Sequence, residues 1–211
     1  MTDTRKKILA AVRENQPDLV PLPELAVHFN KADDPVQQFA DILTGIGGSV
    51  FLVNDYASVK SLVRQRFDES KRIATTIPEL SDAADLVSPE VDPHSFYDIE
   101  LMMMRAHFGV AENGAVWITE QLMEQRILPF ICQHLAVVIE AKDIVPTMQH
   151  AYSRIGAGRY RFGSFISGPS KTADIEQALI LGAHGPRTMT AFIMTDENHL
   201  TEKNFPKTIT S

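Results

Sequence analysis

Short apolar runs of strand length alternate along this chain with segments whose apolar residues recur at helical spacing, and that alternation constrains the fold more than any other feature. Val36, Phe39, Ala40 and Leu43 repeat as one face of a helix. Asp34 stands before them as a cap, and Pro35 occupies the first turn. Gly47-Gly48 ends that helix, and Ser49 to Val53 reads as a buried strand. Asn54 or Asp55 caps a second helix through Tyr56, Val59, Leu62 and Val63, and Arg72 to Thr76 returns as a strand. Helix and strand in turn predict a sheet covered by helices, an α/β fold.

Further along, Ile99 to Met104, Phe108 to Ala111, Ala115 to Thr119, Leu135 to Glu140, Arg161 to Ser167 and Thr188 to Met194 have strand character. Helices are expected over Pro146 to Ile155 and Ala173 to Leu181. In the second of these, Ile175, Ala178 and Leu179 share a face. The fold class expected is therefore an open mixed sheet flanked by helices. Ahead of it, residues 4–15 read as a helix and Gln16 to Asn30, with Pro17, Pro21 and Pro23, as an extended arm. This divides the chain into an extension over 1–32 and a main domain over 33–211.

Composition narrows the function classes. The chain has 211 residues, 44% of them hydrophobic, and a formal net charge of −7 that opposes binding to a phosphate backbone. Ile127 to Ile139 is broken by Pro129, Gln133 and His134, too short and polar to span a bilayer. The amino-terminal segment lacks the pattern of a secretory signal, and one cysteine, Cys132, permits no intrachain disulfide, so a cytoplasmic setting is expected. A single thiol also cannot hold an iron–sulfur cluster by the usual ligation. Gly45-Ile46-Gly47-Gly48 and Gly156-Ala157-Gly158 both follow helices, outside the strand–turn–helix context of a dinucleotide fingerprint.

Three segments carry candidate chemistry. Gly168-Pro169-Ser170-Lys171-Thr172 lies between a strand and the helix expected from Ala173, where free backbone N–H groups suit an anion. An ordinary turn, with Asp174 and Glu176 complementing the helix dipole, explains it as well. Lys171 does not directly follow Gly168, so this is no Walker loop. Glu112-Asn113-Gly114 is a hairpin signal whose carboxylate, if it faced a cleft, could serve as nucleophile or base. His184-Gly185-Pro186 could place an imidazole at a site or simply end a helix. Arg154, Arg159 and Arg161 form a possible positive patch, Cys132-Gln133-His134 is a poor metal pair, and Met102 to Met104 reads as core.

Phe165-Ile-Ser-Gly-Pro-Ser-Lys-Thr-Ala-Asp-Ile-Glu176 followed by Gly182-Ala-His-Gly-Pro-Arg187 closely resembles the carboxyl-terminal signature of the LUD (lactate utilisation) family. Ala111-Glu-Asn-Gly-Ala-Val116 is similar to that family's Ala-Glu-Thr-Gly turn, with Asn113 in place of threonine, and Pro129 and His134 are similar to its central segment. The likeness runs from about residue 100 to 195 and lies closest to the small C-type branch. It implies a fold like that of CoA transferases, ribose-5-phosphate isomerase and glucosamine-phosphate deaminase. It also implies membership of a three-part system oxidising lactate to pyruvate, with a small anionic ligand on this chain. No cofactor is expected here, and the iron–sulfur clusters are expected on cysteine-rich partner subunits. Gly168, Pro169, Ser170, Lys171, Thr172 and Asp174 would bind the ligand with Asn113, Gly114 and Gly185. Glu112 would be the acid or base, and His184 would line the site. Two other readings stay open: a stand-alone enzyme of the CoA-transferase or sugar-phosphate type using Glu112, and a non-catalytic assembly factor.

Overall fold

The computed structural model describes residues 2–21, 34–68, 70–173 and 179–195. The chain divides into two compact units, Met1–Asn30 and Lys31–Ser211. In the first, helix α1 (Thr2–Glu14) carries an Asp3–Lys7 ion pair one turn apart and is followed by chain without regular structure to Pro21.

The second unit opens with α2 (Pro35–Gly45), whose first turn is capped as the sequence predicts: the Asp34 carboxylate accepts from Gln37 N. Strand β1 (Ser49–Val53) follows, then α3 (Tyr56–Arg66), capped by Asp55 accepting from Ser58 N, and β2 (Arg72–Thr75). After β3 (Asp85–Leu86) come β4 (Ile99–Arg105), β5 (Phe108–Val110) and β6 (Ala115–Thr119), and then the short helices α4 (Glu120–Met123) and α5 (Leu128–Ile131). Strands β7 (His134–Glu140) and β8 (Ile144–Val145), helix α6 (Met148–Ile155) and strand β9 (Gly163–Ser167) lead to β10 (Lys171–Ala173), β11 (Leu179–Leu181) and β12 (Thr188–Met194).

Six strands form one sheet in the order β1-β12-β7-β4-β2-β3, and every neighbouring pair is parallel. The antiparallel pairings expected of a mixed fold sit elsewhere. A second sheet, β8-β5-β6-β9, has antiparallel β5–β6 and β6–β9 pairs, and β10–β11 is a separate antiparallel ribbon.

A parallel sheet is covered on both faces, so its central strands read as unbroken apolar runs rather than alternations. Leu101 and Met103 of β4, with Ala136, Val138 and Phe192, pack against Val59 and Val63 of α3. Met102 and Met104, with Leu135, Val137, Ile139, Ala191 and Ile193, pack on the other face against Phe39 and Leu43 of α2 and Val116 and Ile118 of β6. The methionine run is thus core, alternating between faces with the pleat. Each fully buried large side chain here contributes about 1.5–3 kcal/mol. Outside the second sheet a smaller core joins Phe108, Val110 and Trp117 to Ala151 of α6.

One expectation needs correction. No helix opens at Ala173. Lys171–Ala173 and Leu179–Leu181 pair as strands, Lys171 opposite Leu181 and Ala173 opposite Leu179. Asp174 to Ala178, including the candidate ligand residue Asp174 and the helix-face residues Ile175 and Ala178, lie outside the described residues. Cross-strand pairing, which local periodicity does not report, sets the conformation of both described ends of this segment. The helix expected from Pro146 begins two residues later, at Met148, with Thr147 at its cap position.

Candidate functional site

The segments singled out in the sequence meet at the carbonyl end of α2, beside the amino ends of β1 and β12. Gly114, with φ of 66°, closes the β5–β6 turn so tightly that an added Cβ would lie 3.1 Å from the Leu43 backbone. Gly168, with φ of 71°, lies against the Ile46 side chain, where an added Cβ would come within 3.0 Å of its terminal methyl. Ser167 Oγ donates to the Asn113 carbonyl at 2.7 Å, and Asn113 Oδ1 accepts from Ala115 N at 3.1 Å. Lys171 reaches across and donates its ammonium to the Ile46 carbonyl, at the negative end of the α2 dipole.

The two carboxyl-terminal motifs touch directly. Ser170 N donates to Pro186 O at 2.8 Å, Gly182 N donates to Ser170 O at 3.0 Å, and Gly185 faces the Ser170 side chain. Pro169 is buried, Ser170 and Thr172 are half-buried, and Lys171 and His184 are exposed. The Ser170 amide therefore meets a neighbouring loop, and Lys171–Ala173 beyond it pair in the β-ribbon.

Glu112 is placed apart from that contact. Its Oε2 accepts from Met148 N at 2.8 Å, satisfying one free amide at the start of α6, and its own N–H donates to Pro146 O. The structure brings Asn113 and Gly114 to the α2 end and turns the Glu112 carboxylate toward α6.

Other groups join the neighbourhood from positions that sequence spacing did not connect. Arg187 N donates to Gln133 O at 2.8 Å, which sets the His184–Arg187 loop beside the start of β7. There His134 Nδ1 lies 2.7 Å from Thr188 Oγ1 and its Nε2 lies 3.5 Å from Glu100. Burial draws the His134 proton affinity down; Glu100 opposes this and Arg187 adds to it. Glu100 lies in the second position of β4 and Thr188 opens β12, and only the register of β4, β7 and β12 brings them to one imidazole.

Among the described residues no group of three or more His, Cys, Asp or Glu is arranged to hold a metal ion, and no helix is long and apolar enough to cross a membrane. Cys132 is buried and its thiol is pushed up to about 12 by that burial, far from thiolate chemistry.

Comparison with known proteins gives a consistent result. The LUD domain model matches residues 36–194. Lactate utilization protein C of Bacillus pumilus (strain SAFR-032) is 34% identical over 96 residues, which are 43% of this chain and 40% of that protein. Lactate utilization protein C of Geobacillus thermodenitrificans (strain NG80-2) is 31% identical over 93 residues, 41% of this chain and 39% of that protein. The matched stretch thus spans about two fifths of these curated relatives. The crystal structure of a DUF162 family protein from Deinococcus radiodurans superposes with a TM-score of 0.59 at 16% identity, covering 83% of this chain and 100% of that one, a likeness of fold.

Proposed function

Because the chain belongs to the LUD domain family, we propose that it is a subunit of a lactate utilisation system, holding a small anionic ligand while partner chains carry the electrons. The observation behind this reading is the family match across 36–194, which takes in the whole six-stranded sheet. It is supported by the relatives named lactate utilization protein C. In such a system lactate loses two electrons and two protons to become pyruvate. One buried thiol is not the set of thiolates an iron–sulfur cluster takes, so the acceptors belong on cysteine-rich partners in a cytoplasmic assembly.

The ligand's place in this reading is the seam between Gly168–Thr172 and Gly182–Arg187. Ser170 and Thr172 offer hydroxyls there. Lys171, His184 and Arg187 supply polar or positive groups on its open side. Glu112 fixes the start of α6 behind the turn that Asn113 and Gly114 form. Deleting the gene from its host tests the proposal. Growth on lactate as sole carbon source should be lost, growth on pyruvate kept, and growth on lactate restored by the intact gene. Equal growth on lactate with and without the gene would overturn it.

A further inference from the structure

We propose that the crevice at the carboxyl end of β4 binds a small planar organic anion, its carboxylate or phosphate head on Arg159 and its ring against Tyr160 and Trp117. This site is distinct from the seam described above and does not depend on the role in lactate utilisation. His107 follows β4 by two residues, and the carboxyl ends of parallel strands are where open α/β sheets hold their ligands.

The crevice has a volume of about 280 Å³. That is close to the lower end of pockets for organic ligands, ~300 Å³, and far larger than a lone inorganic ion requires. One wall is aromatic: Trp117 and Tyr160 meet edge to face at 5.4 Å, and Tyr160 keeps 40% of its surface exposed. A planar ring can extend that wall by the offset or edge-on contacts that aromatic groups prefer.

The charge is equally specific. Arg154 also borders the crevice, but it is committed: it pairs with Asp143 at 2.6 Å and lies over the Phe108 ring. Arg159 makes no hydrogen bond or ion pair with any described residue, and a guanidinium stays charged at every relevant pH. The lining is left with one uncompensated positive group, and a planar fork suits the oxygens of a carboxylate or phosphate. At the base, His107 Nε2 lies 2.8 Å from Thr119 Oγ1. Burial, and then Arg154, lower its proton affinity, which favours the neutral ring.

The loop bearing Arg159 and Tyr160 is tethered. Arg161 N donates to Glu120 Oε1 at 2.6 Å and Phe162 N donates to the other oxygen of the same carboxylate. The cation and the ring are thus carried over the crevice on a backbone anchored to the start of α4.

Trp117 is the only tryptophan of the chain, so its fluorescence reads this crevice in the intact protein. The probes are 4-nitrobenzoate, nitrobenzene (ring without charge) and acetate (charge without ring), each followed by fluorescence and by calorimetry. 4-Nitrobenzoate should quench saturably and bind about tenfold or more tighter than either fragment. Arg159→Ala should weaken it by about tenfold, with Arg159→Lys between the two, and Tyr160→Ala should also weaken it. Both residues are exposed, and an unchanged unfolding midpoint will show that the variants fold. Quenching that is unsaturable, or equal in Arg159→Ala, would overturn the site. Acetate binding as tightly as 4-nitrobenzoate would overturn the ring contact, and nitrobenzene doing so would overturn the charge contact. Naphthyl phosphate against naphthoate tells a phosphate head from a carboxylate. Loss of growth on lactate with intact probe binding, or the reverse, separates this site from the proposed function.

Discussion

At the amino ends of β1 and β12, backbone meets backbone: Ser170 with Pro186, Gly182 with Ser170, Arg187 with Gln133, and Gly114 pressed on Leu43. At the carboxyl end of β4 the polar groups are side chains drawn from four separate stretches: His107, Thr119, Arg154 and the segment from Arg159 to Tyr160. The first region is specified by residues that shape the chain, the second by residues that the chain merely delivers. Close backbone packing tolerates few residue types, so it leaves motifs. A crevice assembled from scattered side chains leaves none.

The comparison is broken most readily at Gly114. A Cβ there would meet Leu43 backbone atoms that cannot swing away, in a conformation with positive φ. Gly114→Ala should therefore lower unfolding free energy by about 2–3 kcal/mol, read as a shift in urea midpoint at constant slope. A loss below about 0.5 kcal/mol would mean that the turn is not held against α2.

Lys171 tests the same region more gently. Its ammonium serves the Ile46 carbonyl at the end of α2, so Lys171→Met should cost about 0.5–1 kcal/mol, and the cost should shrink in high salt. A cost that salt leaves unchanged would point to lost packing of the aliphatic stem instead.

The smallest effect concerns the second region. His107 has its folded proton affinity lowered, by burial first and Arg154 second, from an ordinary value of 6.5. Above that value both folded and unfolded forms are neutral and stability is unaffected. As pH falls through it, the unfolded chain takes up a proton first, so the native state loses stability until the folded imidazole also protonates. His134 is lowered in the same direction and adds to the decline. His107→Gln should flatten the fall in unfolding midpoint between neutral pH and mildly acid pH. Superimposable curves would show that His107 is not shielded.

Much of the fold could be read from local signals. Asp34-Pro35 and Asp55 mark their helices because caps act over one turn. The apolar runs of β4, β7 and β12 mark central parallel strands because both faces are buried. β3 and β8, two residues each, have no room for periodicity. The carboxyl-terminal motifs could be read as a site segment, yet their partner surface could not, since Leu43 and Ile46 lie far earlier in the chain. Arg154, Arg159 and Arg161 read from the sequence as a positive patch. In the fold Arg154 and Arg159 border the β4 crevice with His107 and Trp117, neighbours that sequence spacing does not connect.

The position of β12 has a consequence for how the molecule forms. Among the described residues it is the last strand in sequence and the one neighbour of β1, yet it lies between β1 and β7, with Ser49 opposite Thr190. While the polypeptide emerges during synthesis, β1 and α2 are made early and must wait without their sheet partner until Thr188–Met194 appears. Meanwhile β7 carries an open edge. Pairings so distant in sequence slow folding and lengthen the time for which apolar strands stay uncovered. Insertion of Thr188–Met194 between β1 and β7 is thus the step that joins the two parts of this sheet.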